Sequence, residues 1–137
     1  MSLIVQPVPL QYFHQTWPLV EKYIADALQW GGDDYTLEQA KALIAGGTWI
    51  LVVAVDDQNS IRGASAINLF NMPNDRIAFV VAIGGKLISN KDTFAQFSAL
   101  LKSYGATKIQ GAARESIARL WTRYGFKERY RIVETTL

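Results

Sequence analysis

Two hydrophobic periods alternate along the chain, and the points where one gives way to the other lay out its elements. Ile4 and Val5 open a short strand that Pro7 and Pro9 close. From Gln11 to Gln29 the apolar residues Phe13, Trp17, Val20, Ile24 and Leu28 recur at the spacing of one helical face. Pro18 falls inside that span, so the pattern predicts a regular helix from near Thr16 with the proline in its first turn. After the loop Gly31-Gly32-Asp33-Asp34, Thr36 and Gln39 have the spacing of a capping box. Leu37, Ala40 and Ile44 then line a short helix, which Gly46-Gly47 stops.

The period then falls to that of strands. Thr48 to Val55 is almost wholly apolar, as a strand covered on both faces would be. A turn returns Ile61 to Phe70 as its hairpin partner, with Gly63 marking a bulge or a close backbone approach. A second turn leads to a third strand, Arg76 to Ile83. Beyond Gly84-Gly85 helical spacing resumes at Phe94, Phe97, Leu101 and Tyr104, and Gly105 supplies the stop. A short strand from Lys108 to Ala112, a helix from Glu115 to Tyr124 ended by Gly125, and a last strand from Phe126 to Thr136 complete the pattern. The predicted order is β-α-α-β-β-β-α-β-α-β, an α/β (α+β) chain. Its antiparallel meander runs into a β-α-β unit whose strands should be parallel.

Composition narrows the chemistry. A chain of 137 residues, 50% of them hydrophobic, suits one domain spanning 1–137 with a sizeable core. The absence of cysteine excludes disulfides, a thiolate nucleophile and cysteine-ligated metal. One histidine, His14, among scattered acids gives neither metal-ligand spacing nor a Ser/His/Asp arrangement. The N-terminus lacks a basic region followed by a long apolar stretch, so no signal peptide is expected. The longest apolar run, Trp49 to Val55, is far short of the roughly 20 residues that span a bilayer. A cytoplasmic location is therefore the default expectation. A net charge of +2 is too small to argue for nucleic acid. Basic residues do gather near the C-terminus (Arg114, Arg119, Arg123, Lys127, Arg129, Arg131), as a solvated face or as a phosphate-facing patch.

The segment from Arg114 through Leu120, Trp121, Gly125 and Phe126 resembles the N-x-x-A-x-x-L-Y-x-x-x-G-F helix of the GNAT acetyltransferase superfamily. Leu120, Gly125 and Phe126 are in register, and Ala118 stands one place off. The element order extends the resemblance over nearly the whole chain. Trp17-Pro18, Pro73 to Arg76, Ile83-Gly84-Gly85 and Ala113-Arg114 are similar in style to small GNAT-like proteins encoded by bacteriophages. The resemblance implies a GNAT-like mixed sheet, acetyl-CoA as donor and an amine as acceptor. It places the pantetheine arm at Val81, Ala82 and Ile83, where the strands splay. Gly84, Gly85, Lys86 and Lys91 would serve the pyrophosphate, and Arg114 a CoA phosphate. It implies a tyrosine general acid, for which Tyr124 is the candidate substitute, and it makes Asp33 and Asp34 with flanking Trp30 and Tyr35 the acceptor side.

Two stretches depart from the family pattern. Its phosphate loop reads R/Q-x-x-G-x-G/A, because small residues let backbone N–H groups approach phosphates. Here Leu87 and Ile88 occupy the turn, and Ser89, Asn90 or Asp92 would cap the following helix with its own side chain. The family tyrosine position holds Trp121, whose indole N–H is no acid near neutral pH. Tyr124 either replaces it or packs in the core. Two functions stay open. One is an N-acyltransferase moving an acetyl group from acetyl-CoA to an unidentified amine. The other is a catalytically degenerate GNAT-like phage accessory or virion-associated protein, acting through contacts with a phage structural protein.

Overall fold

Elements in the computed structural model, which describes residues 2–31 and 34–137, follow the hydrophobic pattern closely. They are β1 (Ile4–Pro7), α1 (Phe13–Leu28), α2 (Leu37–Ala45), β2 (Trp49–Val55), β3 (Ile61–Asn71), β4 (Arg76–Gly85), α3 (Lys91–Ser103), β5 (Lys108–Gly111) and α4 (Glu115–Trp121). The strands form one sheet in the order β1-β2-β3-β4-β5. Neighbours from β1 to β4 are antiparallel, and β4 and β5 are parallel, as the β-α-β pattern required.

Two apolar layers sandwich the sheet. Phe13, Trp17, Val20 and Ile24 of α1, with Ala40 and Ile44 of α2, pack on Leu51, Val53, Ala64 and Ala66. Phe97 and Leu101 of α3, with Trp121 of α4, pack on Val52, Ala54, Ile67, Ala78 and Val80. β2 contributes to both layers, which explains its unbroken apolar run. The capping box at Thr36 and Gln39 forms in both directions. On the outer edge of β1 a side chain takes the place of a strand. The Val5 amide donates to Gln96 Oε1 at 2.9 Å, and Gln96 Nε2 donates to the Leu3 carbonyl at 2.9 Å.

Three elements differ from expectation. α1 begins at Phe13, so Pro18 sits deeper than its first turn. The carbonyl that Pro18 leaves without a helical donor belongs to His14, an exposed residue, where water can serve it. α4 ends at Trp121, and Thr122–Tyr124 tighten into a 3-10 turn before Gly125. The expected last strand, Phe126 to Thr136, is absent. Alternation suits a residue run to a strand, but a strand forms only against a ladder partner, and this segment has none among the described residues. Phe126 packs on Trp121 and Phe94, whereas Tyr130, Ile132 and Val133 are exposed.

Candidate active site

The site begins with an irregularity in β4. Ala82 faces Ala66, yet the next pair is Val80 with Ile67, so Val81 is an extra residue, a β-bulge. Side-chain alternation breaks there. Val80 and Ile83 join the α3/α4 layer, while the adjacent Val81 and Ala82 both join the α1/α2 layer. The buried Ser65 hydroxyl donates to the Ala82 carbonyl at 2.8 Å, satisfying a backbone group beside the disrupted ladder.

Pairing between β4 and β5 covers only Ile77 with Lys108 through Val80 with Gly111. β4 then continues to Gly85, while the chain beyond Gly111 turns away into α4. Val81 to Gly85 therefore have no strand neighbour on that side among the described residues. The closed end is pinned by Asp75. Lys108 Nζ lies 3.0 Å from its carboxylate, and the Thr107 hydroxyl donates to it at 3.0 Å. The hydrogen bonds from Lys108 and Thr107 hold its carboxyl below the ordinary range. At the point of divergence the indole of Trp121 lies so close to Gly111 that a Cβ there would stand 3.1 Å from it.

The gap opens into a cleft of about 320 Å³. Tyr23, Asp26 and Ala27 of α1, with Trp30, form one wall. The second consists of Ala112, Ala113 and Arg114, with Ile117 and Trp121 of α4. Residues 80–85 of β4 run between them. The lining carries one carboxylate and one guanidinium. Asp26 pairs with Lys22 at 3.2 Å, both side chains well exposed. The Arg114 guanidinium carbon lies 4.0 Å from the centre of the Trp30 ring. A larger depression of about 600 Å³ lies by the N-terminal half of α1 and the β2–β3 turn. Its lining has no charged side chain, and it adjoins no split between strands. The smaller cleft, with its charged side chains and the split between strands, is the candidate site.

The β4–α3 connection is closed on itself. Asn90 caps α3, its Oδ1 accepting the Thr93 amide at 2.9 Å. The amides of Ser89 and Asn90 donate to Thr93 Oγ1 at 3.0 and 3.2 Å. The Phe94 amide donates to the Asn90 carbonyl, and the Lys86 amide to the Arg62 carbonyl. Leu87 and Ile88 are buried in the α3/α4 layer. Asp92 adds a carboxylate in the first turn. Gly85 has φ +68°, and a Cβ there would stand 2.4 Å from the Arg62 carbonyl. The glycine is thus required by the close approach of β3. Asp56 braces the same corner, accepting from Gln58 and Ser60 amides and from Arg62 Nε, each at 2.9 Å. These bonds, that from Ser60 foremost, hold its carboxyl below the usual carboxylate range.

Of the residues singled out in the sequence, the cleft brings together Trp30, Val81, Ala82, Ile83, Gly84, Gly85 and Arg114. Lys86, Lys91 and Tyr124 are not in its lining. The Tyr124 ring stacks on Phe94, centroids 5.1 Å apart, in the layer away from α1. Asp34 is exposed, and Tyr35 meets the buried Trp49 edge-on at 4.8 Å. Asp33 lies outside the described residues. Tyr23, Asp26 and Ser65 were missed. Tyr23, Ala27 and Trp30 stand at helical spacing beside the main apolar stripe of α1, a signal that could have drawn attention to that face.

No protein-family model matches the sequence, and no curated protein sequence matches it. Solved structures do match. The ribosomal-protein-alanine N-acetyltransferase from Brucella melitensis biovar Abortus 2308 superposes with a TM-score of 0.68 at 15% identity, covering 99% of both chains. An aminoglycoside acetyltransferase from an uncultured soil metagenomic sample, in complex with sisomicin, gives 0.68 at 11% identity over 98% of this chain and 96% of that one. A second soil metagenomic aminoglycoside acetyltransferase gives 0.67 at 16% identity over 100% and 99%. At these identities the likeness is one of fold. The chain has the mixed-sheet fold of the GNAT-type acetyltransferases, along nearly its whole length.

Proposed function

We propose that the chain binds an acyl-CoA thioester along the open edge of β4 and transfers its acyl group to an amine. The observation that carries this reading is the bulge at Val81 beside the β4–β5 split. It leaves backbone groups of residues 81–85 facing a cleft, where they can hydrogen-bond the amides of a pantetheine arm. A backbone N–H in the bulge is also the group suited to a developing oxyanion, since it is fixed in place before reaction. A bound thioester supplies an activated acyl carbon. The chain's own contributions would be to hold it, to exclude water with Trp121 and Ile117, and to draw an ammonium to Asp26. The nitrogen gives a proton to solvent before its lone pair attacks, the C–N bond forms as the C–S bond breaks, and CoA leaves as the thiol. Tyr124 stacks on Phe94 outside the cleft lining, so this reading assigns it no proton transfer.

Thermal unfolding with acetyl-CoA tests the reading. A ligand present at 100 times its Kd stabilises by about 2.7 kcal/mol, a rise of roughly 5–10 °C for a domain this size. The expected result is such a rise at millimolar acetyl-CoA, with thiol release when primary amines are supplied. No shift at millimolar acetyl-CoA would overturn it. A second reading is a non-catalytic GNAT-shaped protein, such as a phage accessory, working through protein contacts. It is favoured by the self-capped α3 and the exposed apolar residues Tyr130, Ile132 and Val133. It requires stoichiometric association through that C-terminal segment and no acyl transfer.

A further inference from the structure

The cleft has the open backbone edge that a thioester arm needs, but the connection beside it offers little to the phosphates such a donor carries. The amides of Lys86, Ser89, Asn90, Thr93 and Phe94 are all bonded within the chain. Leu87 and Ile88 turn into the core, and Asp92 places negative charge in the first turn of α3. An anionic end entering the cleft needs its cation elsewhere.

Arg114 stands on the second wall of the cleft, opposite Trp30 on the first. Its guanidinium carbon lies over the Trp30 indole, 4.0 Å from the ring centre, so the pair spans the cleft from wall to wall. A contact between the cation and the ring face takes up none of the guanidinium's N–H groups with a conventional acceptor. No hydrogen bond or ion pair joins that fork to another of the described residues. A guanidinium held against an aromatic ring has lost much of its rotamer freedom before an oxyanion arrives, and its planar fork can meet phosphate oxygens two at a time.

We infer that Arg114, held by Trp30, is the anion anchor of this cleft, binding the phosphate groups of the donor in place of the β4–α3 connection. Trp30 is then a positioning residue on the donor side rather than a wall of the acceptor site. The inference rests on the acyl-CoA reading and adds to it the residue that reads the donor's charge.

Calorimetric titration separates the two ideas by comparing acetyl-CoA with S-acetylpantetheine, which has the same thioester arm and no phosphate. The wild-type chain should prefer acetyl-CoA. Arg114→Ala should erase that preference, weakening acetyl-CoA by about tenfold or more while leaving S-acetylpantetheine within about twofold. Trp30→Ala should weaken acetyl-CoA several-fold and Trp30→Phe should restore most of the loss, because a phenyl ring still carries the stack. Arg114→Lys should recover only part, keeping the charge without the planar fork. The double variant Lys86→Ala/Lys91→Ala should stay within about twofold of wild type. All these side chains are solvent-exposed except for Trp30's stacked face, and circular dichroism checks that the variants fold.

A preference for acetyl-CoA that survives Arg114→Ala, or one that disappears with the two lysines, overturns the anchor. Binding of neither thioester by the wild type overturns the acyl-CoA reading instead, and the anchor is then judged with inorganic pyrophosphate alone. Trp30 is 61% exposed whereas Trp17, Trp49 and Trp121 are buried, so acrylamide quenching of fluorescence reads Trp30 selectively. A pyrophosphate-induced change in quenching that Arg114→Ala abolishes supports the anchor, and no change in the wild type overturns it.

Discussion

Leu87→Ala tests whether the β4–α3 connection is closed in solution. Leu87 is 0% exposed and shares a core with Phe97, Leu101, Val52 and Ile67. Burial of such a side chain in a loop is unusual and implies that the loop is anchored from within. Truncating a fully buried leucine costs about 2–5 kcal/mol, the upper part of that range applying where the surroundings cannot collapse into the space. Here the surroundings are a capped helix and a sheet, both rigid, so about 3–4 kcal/mol is expected. For a chain of this length that corresponds to a fall in Tm of roughly 10–15 °C. Calorimetric or circular-dichroism melts measure it, with urea unfolding to confirm that the slope with denaturant is unchanged. Lys86→Ala, one residue earlier and exposed, is the control and should stay within about 0.5 kcal/mol of wild type. A loss below about 1 kcal/mol for Leu87→Ala would refute the reasoning. The side chain would then not be fixed in the core, the connection would be open, and its amides would again be available to an anion.

Two further outcomes follow from the same corner of the fold. A Cβ on Gly63 would stand 2.6 Å from the Leu87 amide nitrogen and 2.8 Å from that of Lys86, both backbone atoms that cannot yield separately. Gly63→Ala should therefore lower stability by about 1–3 kcal/mol in urea unfolding, and an unchanged midpoint would contradict the packing of β3 on the connection. Asp56 has a folded-state pKa below its unfolded value of 3.8, set first by the Ser60 amide. Its stabilisation is therefore present above that unfolded value and is lost as pH falls through the folded one. Asp56→Asn should be less stable than wild type at neutral pH, and the gap should narrow as pH falls below 3.8 toward the lowered folded value. A gap that persists undiminished in acid would mean that the carboxylate charge is not what the hairpin uses.

What could be read from the sequence depended on how far apart the interacting groups lie along it. The capping box of Thr36 and Gln39 involves residues three apart, and it forms as expected. Gly105 and Gly125 end their helices with φ of +88° and +91°, a local requirement visible as a glycine after an apolar stripe. For α3, three side chains were able to cap. Asn90 does so because Thr93 returns the bond, a reciprocity that residue types alone do not single out. The bulge at Val81 left no mark, because a strand apolar on both faces looks the same with or without an extra residue. Ser65 stands among small residues, and nothing local points to its acceptor, because Ala82 lies on the neighbouring strand. The segment 126–136 shows the opposite failure: its alternation is genuine, and the ladder that would make it a strand is not present among the described residues. The α1 face of Tyr23 and Asp26 was visible as a face, with nothing in the sequence to say what it fronts.

The Gln96 side chain on β1 gives the sheet a direction. One carboxamide, offering an acceptor to Val5 and a donor to Leu3, matches the hydrogen bonding a neighbouring strand would supply and stops pairing at that border. The border at β5 has no such stop among the described residues. A strand arriving from outside would thus find the β1 end of the sheet already occupied by a side chain. The border at β5 is the strand that leads into the Arg114 wall of the cleft, so the uncapped end of the sheet and the cleft share one stretch of chain.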